Sequence, residues 1–128
     1  MGQYFKLVNL DKKEFIDPFT LDSLSKFFEI TSNGRITGLL IYLLRKSDNT
    51  GGGDVKNLGE LKFCGRWAGD RILLIGDYDS SGLYDKVTTE NGWKDIGSEA
   101  LKEFVSIKHS ETHIPDAIII AKGKNENK

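Results

Sequence analysis

The sequence predicts an α+β fold: a single domain on a mixed, mostly antiparallel sheet, with an N-terminal hairpin and two to three helices. Three observations predict it. Residues 3–10, QYFKLVNL, are apolar on both alternating sets and are followed by a turn and a short return strand. Two later segments, 35–46 and 96–110, suit helices. Between and after them lie short aliphatic runs, ILLI at 72–75 and AIII at 117–120, that suit strands. Strands and helices that follow one another in runs, without strict alternation, point to α+β. At 128 residues the chain is long enough for one real core and too short for two. The expected domain covers residues 1–123, with KNENK at 124–128 as a frayed polar tail.

Each element has its own signal. In the first strand Phe5 and Leu7 form one set and Tyr4, Val8 and Leu10 the other, as in a strand interior to a sheet. LDKKE reads as the turn, with Asp11 suited to its start, and EFID returns until Pro18 stops it. Thr20 can cap a helix bearing Leu21, Leu24, Phe27 and Phe28 on one face, with Asn33-Gly34 as the turn that ends it. ITGLLIYLLRKS fits a buried helix or a buried strand; its leucines and length favour helix, with Arg45 and Lys46 against the carboxyl-end dipole. SDNTGGGD is a loop. LGELKFCG and SGLYDKVT read as short strands on either side of a better one, DRILLIGDY. Residues 96–110 place Leu101, Phe104, Val105 and Ile107 as an amphipathic helix, and DAIIIAKG reads as a last strand.

Composition narrows the class. Eighteen basic residues against nineteen acidic give a net charge of −1, which argues against nucleic acid as a partner. The lone Cys64 cannot form an internal disulfide. No charged-then-apolar leader and no long apolar run is visible, and Lys6 breaks the myristoylation pattern that Met1-Gly2 opens. A cytoplasmic protein that does not enter a membrane is expected.

The chemistry concentrates at the two ends of ILLI. Upstream, GRWAGDR sets Arg66, Trp67, Asp70 and Arg71 between glycines. A guanidinium fork matches carboxylate or phosphate oxygens, and an indole offers a stacking face, so these residues with Asp54 of TGGGD form a candidate ligand site. The alternative is a shaped turn in which Trp67 fills the core and Asp70 pairs with an arginine. Downstream, Asp77, Asp79, Ser81, Gly82 and Asp85 match positions 1, 3, 5, 6 and 9 of a calcium loop. They are the candidate ligands for calcium or magnesium. The match fails at position 12, which is Thr88, and the alternative is an acidic turn in which Asp and Ser bond their own backbone. TGGGD lacks the Lys-Ser/Thr of a phosphate loop, His109 and His113 have zinc-like spacing at a helix end, and no nucleophile motif is present.

MGQYFKLVNLDKKEFIDP, GGGD, GRWAGDRI and GDYD together resemble a group of small stand-alone proteins of bacteria, archaea and some of their viruses. Its members begin MGxYxxxVNLDKxExxxP and carry a central GRWAGDRI–GDY block. The resemblance covers residues 1–18 and 51–79, and Phe19-Thr20-Leu21 departs from the more basic residues that follow the proline there. It implies a stand-alone single-domain protein, with a viral or mobile-element source among the expectations, and it carries over no activity. Three readings of function follow. The first is a small cytosolic binding module whose polar site is formed by residues 51–54, 66–71 and 77–79. The second is a metal-assisted enzyme acting on a phosphate-bearing substrate, with Asp54, Asp70, Asp77 and Asp79 on the cation. The third is a protein–protein interaction module or homodimer that uses the hairpin or the leucine-rich segment.

Overall fold

A computed structural model describes residues 2–112. The expected strand at 116–123, the tail at 124–128 and His113 lie outside the described residues. The N-terminal hairpin forms as expected, from β1 (Phe5–Asn9) and β2 (Glu14–Ile16) in antiparallel register with Val8 opposite Phe15. Asn9, not Asp11, organises its turn: the Asn9 Oδ1 accepts from the backbone N–H groups of Asp11 and Lys12, both at 2.9 Å. β3 (Ile72–Gly76) runs antiparallel to β1 on the other side, with Leu7 opposite Leu74. A two-residue strand, β4 (Lys94–Asp95), pairs parallel to β2, so the sheet order is β3-β1-β2-β4. The interior place of β1 explains its two apolar faces.

The helices divide between those faces. α1 (Phe27–Thr31), α2 (Gly34–Leu44) and α4 (Gly97–Thr112) belong to one side, where Leu7 and Ile16 meet Ile36, Leu39, Leu43, Trp67 and Leu101. α3 (Leu83–Thr89) covers the other, where Val87 joins Val8, Phe15 and Ile75. The described residues thus hold four α-helices, one more than the upper count expected. α2 resolves the ambiguity at 35–46 in favour of helix, and its cap is Asn33, whose Oδ1 accepts from the N–H groups of Arg35 and Ile36.

Three expectations are corrected. No helix starts at Thr20. Asp17 accepts from the Phe19 N–H and Pro18–Leu21 makes a 3-10 turn, which Asp22 ends in the left-handed region at φ 55°. The helix starts later, at Phe27, and Leu24 and Phe28 face solvent instead of the core. LGELKFCG is not a strand, because its backbone donors go elsewhere. The Glu103 carboxylate accepts from the N–H groups of Lys62 and Phe63, and the Gly65 N–H reaches the Tyr42 carbonyl at the end of α2. SGLYDKVT is helical: Gly82 supplies the left-handed entry at φ 72°, the Ser81 hydroxyl accepts from the Leu83 N–H, and Leu83 and Val87 then share a face.

Candidate functional site

The polar residues upstream of β3 are gripped by the hairpin. Glu14 is buried at 5% exposure, and its carboxylate receives the Arg66 guanidinium side-on, with Nε 3.0 Å from both oxygens. The same carboxylate accepts from the indole Nε1 of Trp67 at 2.9 Å, and Trp67 is fully buried. Asp70 accepts from Asn9 Nδ2 at 2.8 Å and pairs with Lys12. Arg71 donates its backbone N–H and its Nε to Asp11, at 2.7 and 2.8 Å. NLDKKE and GRWAGDR are therefore partners in space, residue against residue. Asp54 is held elsewhere, by Arg45 at the end of α2.

The charges respond to these contacts. Burial alone would push the Glu14 carboxyl up; the hydrogen bonds from Arg66 and Trp67, with the arginine's charge, outweigh it and hold the group below its ordinary value. The Asn9 amide and Lys12 lower Asp70, the Arg71 N–H groups lower Asp11, and Arg45 lowers Asp54. Burial raises the Cys64 thiol despite the nearby charge of Arg45.

Downstream of β3 two of the carboxylates accept from backbone donors. The Asp77 Oδ1 accepts from the Tyr4 N–H at 2.9 Å, the Asp79 Oδ2 accepts from the Ser81 N–H, and Asp85 sits in the first turn of α3. Among the described residues, no group of three or more His, Cys, Asp or Glu side chains is placed to hold a metal ion. Nor does β3 fold its two polar ends together: Arg71 and Asp77 stand roughly 20 Å apart along an extended strand. Addition of 5 mM calcium or magnesium should therefore move the thermal midpoint by less than about 1 °C. A rise of several degrees, read by differential scanning fluorimetry against a chelator control, would show that the 77–85 loop rearranges around a cation.

Two other groupings escaped the sequence reading. Lys6 is 4% exposed; its Nζ donates to the Tyr84 carbonyl at 2.8 Å and lies 3.9 Å from the centre of that ring. Burial lowers its pKa, and the carboxylates of Asp17, Asp85, Asp95 and Asp77 work against that shift. Its position among Tyr4, Val8 and Leu10 was the available signal. The second grouping is apolar. Around the start of β1, Tyr4 contacts Phe19, and Phe5 contacts Phe27, which in turn meets Phe28, with ring centres 5.2–5.8 Å apart. At this end Phe28 is 79% exposed, Leu24 63% and Tyr78 61%, with Phe19 and Phe27 near half. The adjacent pair Phe27-Phe28 carried the signal, since neighbours on a helix sit about 100° apart and a five-residue helix buries one narrow stripe.

No helix among the described residues is long and apolar enough to cross a membrane. Comparison with protein families, curated proteins and solved structures finds no match for this chain.

Proposed function

We propose that this chain is a binding module that docks an apolar segment of another protein on its aromatic end. The observation that carries the reading is the exposed cluster of Phe19, Leu24, Phe27, Phe28 and Tyr78 around the first residues of β1. Exposed aromatic surface of this kind is uncommon on a monomer and is typical of the centre of an interface. Phe19 is held against Tyr4, and Phe27 against Phe5 and Phe28, so these rings lose little side-chain freedom on binding. The polar residues of GRWAGDR serve this reading indirectly: by tying that turn to the hairpin they fix the scaffold that presents the patch.

The test is selection of a random peptide library displayed on phage against the purified protein, followed by calorimetric titration of the enriched peptides. Peptides with two or more aromatic or aliphatic anchors should bind with micromolar affinity. The double variant L24D/F28D should weaken them by about tenfold or more, because central anchors carry most of an interface's energy. Both side chains are exposed, so the variant should unfold at the same temperature as the wild type. Peptides that bind the variant equally well, or a library that yields none, would overturn the proposal.

A further inference from the structure

The aromatic end has a border of one sign. The segments that build it, residues 17–31 and 76–81, hold the carboxylates of Asp17, Asp22, Glu29, Asp77 and Asp79 against a single ammonium, that of Lys26. Asp77 and Asp79 flank the exposed Tyr78, and Glu29 follows the exposed Phe28. Backbone donors fix these three: Glu29 accepts from the Lys26 N–H at 3.0 Å, Asp77 from the Tyr4 N–H at 2.9 Å and Asp79 from the Ser81 N–H at 3.1 Å. Among the described residues, none of the five carboxylates forms an ion pair with a lysine or arginine. The nearby cations are engaged elsewhere. Lys6 is buried against the carbonyl and ring of Tyr84, and Arg35 lines a groove with Asp22, Lys102 and Ser106 on the α4 side. The border and the rings are continuous: the Lys26 stem lies against Gly2, whose carbonyl accepts from the Tyr78 hydroxyl at 3.3 Å.

We infer, on the docking reading above, that the partner segment is basic: an apolar anchor flanked by lysines or arginines. The anchor sits on Phe19, Leu24, Phe27 and Phe28, and the cations meet Glu29, Asp77 and Asp79. Charge selects among the occupants that an apolar face alone would accept. A second copy of this chain would set its own acidic border against this one, like against like. Nucleic-acid backbones and anionic lipid surfaces carry the same sign as the border and are repelled by it. A basic segment gains twice, because its anchor leaves water for the rings and its cations reach carboxylates that no other cation neutralises. Exposed pairs of this kind are screened and individually weak. The border therefore sets encounter rate and selectivity, while the rings supply most of the affinity.

Biosensor kinetics on peptides selected from the random phage library test it. The enriched peptides should carry two or more lysines or arginines beside their anchors. Raising NaCl from 50 to 500 mM should slow association by about tenfold and change dissociation by less than about threefold. Replacing the basic residues of a peptide with glutamine should weaken it by about tenfold, as should the variant E29Q/D77N/D79N, and the two losses should not add. Each amide keeps a side-chain oxygen for the Lys26, Tyr4 or Ser81 N–H, and an unchanged thermal midpoint checks that the variant is folded. The variant L24S/F28S removes the anchors without adding charge and identifies the peptides that dock on the aromatic end. Peptides that need Leu24 and Phe28 but are neutral or acidic overturn this inference and leave the docking reading standing. So do basic peptides that bind equally well at both salt concentrations and to the amide variant. A library that yields no peptide dependent on Leu24 and Phe28 overturns both.

Discussion

Replacing Arg66 with alanine should destabilise the fold by about 3 kcal/mol at pH 7, a drop of about 10 °C in the thermal midpoint. Breaking a buried pair costs more than making it gains, because the remaining charge is left in a poor solvent. Glu14 is that charge: it is 5% exposed and would keep the Trp67 indole as its one hydrogen-bond donor. Arg66 itself is 31% exposed in its side chain, so solvent already screens part of the pair, and the expected cost sits at the low end of the range for buried pairs. The pH dependence identifies the mechanism. In the wild type Glu14 is held below its ordinary pKa, so its stabilising contribution is complete above the unfolded value of 4.5 and is lost as pH falls through the lower folded value. Without Arg66 the carboxyl keeps the Trp67 indole but loses its largest lowering partner, so its folded pKa should rise and the stabilising contribution of the ionised form should shrink. The gap between wild type and variant should therefore narrow steadily from pH 7 to pH 4 in urea titrations. A gap that is constant with pH would mean that Arg66 acts through the contact of its guanidinium with the Phe63 ring and not through Glu14.

That ion pair also marks where sequence reading stops. Periodicity found β1, β2, β3, α2 and α4, because each presents a buried face whose spacing the chain declares: Leu7 and Val8 on opposite faces of one strand, Leu39 and Leu43 one turn apart on one helix. It failed where hydrogen bonds from distant side chains decide the backbone. LGELKFCG has an alternating pattern, yet the Glu103 carboxylate takes two of its N–H groups and α2 takes a third. SGLYDKVT has strand-forming Val and Thr, but the Gly82 bend and the Ser81 cap precede them and start a helix. The candidate site shows the same division. Arg66, Trp67, Asp70 and Arg71 were visible as a cluster, and Trp67 filling the core was one of the alternatives. Their partners lie 52 to 61 residues away in the chain, in the hairpin, where no spacing rule reaches. The aromatic end was missed for a different reason: expecting one longer helix from Thr20 gave Leu24, Phe27 and Phe28 a buried face that the shorter α1 does not have.

Alanine at Gly65 should cost about 3–4 kcal/mol, while alanine at Gly69, four residues on in the same turn, should cost about 1 kcal/mol. Both glycines are in the left-handed region, at φ 74° and 81°, so both substitutions incur the strain of an L side chain there. They differ in what a Cβ would meet. At Gly69 nothing lies within 4 Å. At Gly65 the Cβ would come 2.5 Å from the backbone carbonyl oxygen of Arg45, a contact that no side-chain rotation can relieve. The chain cannot back away cheaply either. The Gly65 N–H donates to the Tyr42 carbonyl and the Trp67 N–H to the Leu43 carbonyl, both at 2.9 Å, so the end of α2 and the GRW turn are stitched together across the clash. Relaxation would have to move Trp67 in the core or Arg45 with its Asp54 partner. Urea unfolding of the two variants measures the difference directly. Equal costs at both sites would show that backbone conformation alone calls for glycine in GRWAGDR. The expected excess at Gly65 would show that the first glycine of the motif is there because a helix end passes too close for any side chain.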